Sequence, residues 1–218
     1  LLLVVTLGAF AWTASRRWRL MRAGAAENRW DQIGKRIKLT IKYALAQKRM
    51  RRYPLAGAAH LMIFLGFGVL MLRSLILFSR GYVIDSSLLL FHPHTMLGDV
   101  YSLLKDTFVM LVMLGTVVFV YFRVVAKLSR MTLSTEGVVI LGIIFVMMLA
   151  DVLYDGAWMN LTAMEASRDV AFRGWEPAGS VMALALGGLS VGTLTVLAHV
   201  GFWTHTSLVL IFLNLLPR

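Results

Sequence analysis

Leu55-Ala-Gly-Ala-Ala-His60-Leu-Met-Ile-Phe-Leu-Gly-Phe-Gly-Val-Leu-Met-Leu-Arg73-Ser-Leu-Ile-Leu-Phe78 is the stretch that decides the fold. A helix needs about 20 apolar residues, at about 1.5 Å rise each, to cross the hydrocarbon of a bilayer, and this run is long enough. No water reaches the backbone there, so every N–H and C=O must be satisfied within the segment, which requires a helix. Four more stretches read the same way in whole or in part: Leu1–Ala14, Leu97–Val125, Gly137–Tyr154 and Ser190–Leu216. Asp99, Lys105 and Asp106 interrupt the start of the third span, so its first turns sit near the surface or face a cavity. The expected fold is all-α, a five-helix transmembrane bundle forming one membrane domain over residues 1–218.

Composition agrees. Hydrophobic residues make up 59% of the chain and the mean hydropathy is +0.76, more apolar surface than a soluble domain of this size can hide. The formal charge is +11, but the basic residues concentrate in Arg16–Arg52, opposed only by Glu27 and Asp31. Beside membrane spans, the positive-inside rule and anionic lipid account for this better than nucleic acid does. Arg16–Arg52 and Arg123–Arg130 are then cytoplasmic, whereas Arg80–Met96 and Asp155–Ala178 face outward. The second and fourth spans run in to out, and the third and fifth return. Leu1–Trp12 is too short for a full span and lacks the flanks of a signal peptide; it reads as the end of a first helix that begins upstream.

Between the first two spans, Ile33, Ile37, Ile41, Ala44 and Leu45 share one face of Asp31–Arg52, with Lys35, Arg36, Lys38, Lys42, Lys48 and Arg49 elsewhere. This is the pattern of a cytoplasmic basic amphipathic helix lying on the membrane surface, either as a lipid anchor or as a dock for an acidic redox partner. Near the other end, a continuous helix over Ala178–Leu216 would be about 58 Å long. A break near Gly187–Gly192 is expected instead.

The chemistry lies in histidines set within these spans. An ionisable side chain at that depth is expensive and marks a pathway, a cofactor or a partner. Two helices that each offer an inward imidazole can hold a b-type haem. His60, flanked by Gly57, Gly66 and Gly68, sits in the cytoplasmic half of the second span, and His205 near the middle of the fifth. His199 is six positions earlier, a rotation of roughly 240°, so it and His205 face different surroundings. Any of the three can instead hydrogen-bond across a helix interface. His92 and His94, in the outer loop, are solvated side chains, quinone contacts or ligands reaching inward. Arg73 either pairs with a haem propionate or snorkels to the interface. Asp99, Lys105 and Asp106 either relay protons to a quinone or form an interfacial charge cluster. Met71 is a remote axial-ligand candidate. Cysteine is absent, which excludes iron–sulfur and thiolate ligation by this segment. No phosphate loop, dinucleotide fingerprint or metal-hydrolase spacing occurs.

The segments His60-Leu-Met-Ile-Phe-Leu-Gly-Phe-Gly68 and Trp203-Thr-His205-Thr-Ser-Leu-Val-Leu-Ile-Phe-Leu-Asn-Leu-Leu-Pro217 resemble the membrane cytochrome b (gamma) subunit of respiratory nitrate reductases. They resemble more closely the membrane domains of heterodisulfide-reductase-like and electron-transfer-flavoprotein:quinone oxidoreductases. The resemblance covers most of the chain and is one of layout. It implies haem-ligating histidines on the second and fifth helices, often two haems b stacked across the membrane, and electron passage between quinone and a cytoplasmic iron–sulfur or flavin partner. The two-haem pattern would pair His60 with a histidine after Pro217, and His205 with position 70, where this chain has Leu70.

The resulting expectation is a multi-pass domain of the cell inner (cytoplasmic) membrane carrying one or two haems b. His60 and His205 are its metal ligands, with His199 in reserve; Arg73, His94, Asp99 and Lys105 are cofactor or quinone contacts. Its partners are quinone, membrane lipid and a cytoplasmic iron–sulfur or flavoprotein module, with no nucleic acid. The rival expectation is a haem-free anchor or proton-relay subunit. A transporter is disfavoured, since repeat symmetry and paired broken helices are not visible.

Overall fold

The computed structural model describes residues 1–24, 30–83, 86–88, 91–92, 95–128 and 134–215; these are helical or turn-forming, with no strand among them. In chain order the helices are α1 (Leu2–Arg22), α2 (Ile33–Thr40), α3 (Pro54–Arg80), α4 (Met96–Val120), α5 (Thr135–Glu165), α6 (Pro177–Ala185) and α7 (Val191–Leu215). α4 continues through a wider turn at Tyr121–Val125. Among the described residues, four helices are long and apolar enough to cross a membrane: α3, α4 with its extension, α5 and α7. They mark a multi-pass membrane protein.

Local chemistry sets the helix ends. Pro54 opens α3, where its missing N–H is no loss. The Thr95 hydroxyl accepts the Gly98 N–H at the start of α4, and the Ser134 hydroxyl accepts that of Gly137 at the start of α5. Asp99 and Glu136 in those first turns complement the helix dipoles. Ser190 does the same for α7, accepting from the Thr193 N–H at 3.2 Å.

α5 is the central helix. It packs most extensively on α7 and also meets α4 and α6, while α3 lies along α4. Leu70, Val109, Val112 and Met148 form one buried cluster; Leu77, Tyr154, Ala157 and Ala198 form a second, nearer the end of α3. Glycine lets the backbones approach. A Cβ on Gly201 of α7 would fall 2.7 Å from the Ala150 carbonyl oxygen of α5, and one on Gly115 of α4 would fall 2.9 Å from that of Ala59 in α3. Close contact of this kind drives helix association where lipid is as apolar as the side chains.

Three expectations differ from what is observed. Leu1–Ala14 is the apolar part of α1, whose remaining turns carry Arg16, Arg17, Arg19 and Arg22; α1 is not among the four apolar spans and touches the bundle along α7. The basic segment is not one helix. α2 widens through Ile41–Leu45, breaks at Gln47 with φ +46°, and resumes as a tight turn over Lys48–Arg52. The fourth span runs beyond Tyr154 to Glu165. Asp155 and Asn160 look like an interfacial end in a hydropathy pattern, yet both are buried in the bundle, so the helix continues past them. The anticipated break before the last span is present, between Ala185 and Val191.

Candidate functional site

In the half of the bundle where α3 ends, charged side chains from three helices meet out of reach of solvent. Asp151 and Asp155 are four apart on α5 and therefore share one face. From α3, the Arg73 Nε donates to Asp151 Oδ1 at 2.9 Å, and its Nη2 pairs with Asp155 Oδ1. From α4, the Lys105 ammonium takes the other Asp155 oxygen, lies 3.0 Å from Asp106 Oδ1, and is 3.9 Å from Glu176 Oε1 at the rim. Asp106 in turn accepts the Ala178 and Gly179 N–H groups at 2.7 and 3.1 Å, capping α6 from a neighbouring helix. Asn160 holds the far end of α6, donating to the Ala183 carbonyl at 2.8 Å.

Burial makes each of these pairings necessary, because an isolated charge in a low-dielectric interior costs several kcal/mol. Arg73, Lys105, Asp106 and Asp151 are each less than 5% exposed. The Asp151 Oδ2 atom is buried with no hydrogen-bond partner among the described residues.

His205 adjoins this cluster from α7, at 1% exposure. Its Nδ1 lies 3.2 Å from the Met147 carbonyl and 3.7 Å from Asp151 Oδ1; a carbonyl only accepts, so Nδ1 carries a proton. Its Nε2 faces α3 and sits 3.2 Å from the Ser74 hydroxyl, one turn past Leu70. A haem iron would need that nitrogen. Ser74 holds it instead, Leu70 is packed in the apolar core, and no second imidazole adjoins it among the described residues. The residues around His205 do not fit a haem in this packing.

His60 is elsewhere. Fourteen residues separate it from Ser74 along α3, about 21 Å of helix, so His60 and His205 cannot serve one iron. The His60 ring is half-buried, stacks on Phe64 at 6.2 Å between centroids, and has no hydrogen-bond partner among the described residues. Its unpartnered nitrogens lie toward the start of α3, and any second ligand to a metal there would have to come from outside the described residues. No cluster of three or more metal-binding side chains occurs among the described residues.

The other sequence-derived candidates scatter. Arg73 and Lys105 are brought together, but by carboxylates. Asp99 stays half-buried in the first turn of α4, away from Lys105, and His94 lies outside the described residues. His92 is in the loop between α3 and α4, where its carbonyl accepts from the Thr95 hydroxyl at 2.7 Å. Met71 is 54% exposed on the bundle's outer face. His199 is exposed and lines a lateral cleft of about 520 Å³ between the end of α3, the later part of α5 and the first half of α7, with Leu1–Leu3 on one side. Tyr154 forms part of the partition between cleft and charge cluster: it lines the cleft, and its ring lies 5.7 Å from the Arg73 guanidinium.

Asp151, Asp155 and Ser74 escaped the sequence reading. A signal existed: two aspartates at helical spacing, Asp151-Val-Leu-Tyr-Asp155, follow directly on an apolar run.

Comparison with known proteins finds similarity to an EtfAB:quinone oxidoreductase of Syntrophomonas wolfei subsp. wolfei, 27% identical over 214 residues. The similarity covers 94% of this chain and 28% of that relative, so the chain spans less than a third of the relative's length. No family model matches the chain, and no solved structure matches it.

Proposed function

We propose that this chain is the membrane electron-transfer domain of a quinone-linked oxidoreductase, working between quinone and a flavoprotein or iron–sulfur module at the cytoplasmic face of the cell inner membrane. The observation that carries this reading is the similarity to a quinone oxidoreductase over nearly the whole chain, through all four apolar spans. The charge distribution supports the orientation: the cations of 33–52 sit on the side where α3 begins, and the cleft and charge cluster on the side where it ends. In this reading α1 is a fifth span, and the exposed isoleucines of α2 rest on the inner membrane surface. The whole is a single haem b membrane domain.

The haem b is held by His60 in the inner half, next to the cytoplasmic module, and supplies one-electron transfer when bound. His60 would supply one imidazole nitrogen to the iron. His205, bonded to Ser74 and Met147, orders the contact between α7, α3 and α5.

A reduced-minus-oxidised optical spectrum of the purified protein, with a pyridine haemochrome count, tests the reading. A b-type signal lost in His60→Ala and kept in His205→Ala is expected. A featureless spectrum from folded protein would overturn the haem and leave a haem-free anchor or proton-relay subunit, for which the His205–Asp151 contact is the supporting observation.

A further inference from the structure

The lateral cleft has no part in the haem reading. It has the volume typical of small-molecule sites, and its walls combine two kinds of surface. Trp158 of α5 and Phe202 and Trp203 of α7 line it with aromatic faces, while His199 contributes an imidazole with no hydrogen-bond partner among the described residues. His199 stands eight residues into α7, about 12 Å from the helix's first residue. Trp203 is 55% exposed and Val200 49%, so the side of the cleft formed by α7 faces the lipid. A ligand entering there must be flat, largely apolar, able to accept one hydrogen bond, and already dissolved in the bilayer.

We propose that this cleft binds the ring of an isoprenoid quinone, with His199 donating to one ring carbonyl and Trp158 and Phe202 flanking the ring. The proposal rests on the quinone-linked reading above and gives that reading a location different from Asp99 and Lys105. Tyr154 separates the ring from the Arg73–Asp151–Asp155 cluster, so the bound ring lies against the wall of the bundle, with the cluster one side chain away.

The test uses the full-length protein, with whatever subunits purify with it, in phospholipid nanodiscs. A short-chain naphthoquinone is titrated against tryptophan fluorescence, and an azido-naphthoquinone is mapped by mass spectrometry after photolysis. Saturable binding is expected, with label on α7 or α5. His199→Ala should weaken binding roughly five- to tenfold, the worth of one hydrogen bond, and His199→Gln should restore part of it. Thr195→Trp, at the exposed rim of the cleft, should abolish binding without touching the core. Val117→Ala, on the lipid face of α4, should bind as the parent does. Quinone bound with unchanged affinity by both His199→Ala and Thr195→Trp, or label confined to α4, would overturn the cleft and leave the electron-transfer reading standing. No saturable binding by the parent protein would overturn both.

Discussion

Replacing Arg73 by methionine removes the one hydrogen bond that Asp151 accepts among the described residues. Asp155 keeps Lys105, and Lys105 keeps Asp106. Asp151, at 1% exposure, is left with only the His205 ring, 3.7 Å from Oδ1. One stranded buried charge costs about 3–5 kcal/mol, and the neighbouring pairs do not compensate, because their geometry is already satisfied. Removing both partners is different: in Arg73→Met/Asp151→Leu no charge is stranded, and an apolar pair of similar volume is nearly neutral. The double variant should therefore recover most of the loss, a coupling of about 2 kcal/mol or more. Unfolding in mixed detergent micelles, followed by tryptophan fluorescence, measures both. An Arg73→Met protein within about 1 kcal/mol of the parent would refute a cluster that needs internal neutralisation. So would a double variant that loses the sum of two independent single losses.

Gly201→Leu should separate α7 from α5, since even a Cβ there meets the Ala150 carbonyl at 2.7 Å and the Tyr154 nitrogen at 2.8 Å; overpacking costs about 1–3 kcal/mol or more, and unfolding no easier than in the parent would contradict the contact. Asn160→Leu loses the bond to the Ala183 carbonyl and should raise amide exchange across α6 about tenfold while α3 and α4 exchange as before, the worth of roughly one buried hydrogen bond; uniform protection would show α6 to be held otherwise. Because the chain has no cysteine, single-cysteine variants report topology directly. Lys42→Cys should react with an impermeant maleimide only from the cytoplasmic side and Tyr82→Cys only from the outer side, and the reverse pattern would invert the orientation.

Much of the architecture was legible in the sequence because lipid imposes a one-dimensional rule. The spans α3, α4 and α7 lie within a few residues of where hydropathy puts them, and the break after Ala185 follows from a length that hydrocarbon cannot accommodate. The basic residues of 16–52 set the expected orientation without reference to any contact. Failures cluster where a polar residue's meaning depends on its neighbours. Asp155 looked like the end of a span and is an internal partner of Arg73 and Lys105; the helix runs ten residues further because those cations neutralise it. Lys105 and Arg73 were singled out as cofactor or quinone contacts, whereas their carboxylate partners on α5 come from 50 and 78 or more positions away, beyond any local pattern.

The histidines divide along the same line. Sequence alone determined that imidazoles lie at three depths, and that His199 and His205 look in different directions, because helical rise and rotation are fixed by the backbone. Only the tertiary structure decided what each one meets: Phe64 beside His60, Ser74 and the Met147 carbonyl on the two nitrogens of His205, and an aromatic cleft beside His199. Transfer into lipid is a property of a residue and can be summed along a chain. Coulomb attraction and hydrogen bonding act between atoms a few ångströms apart, and which atoms come that close is settled when the helices pack.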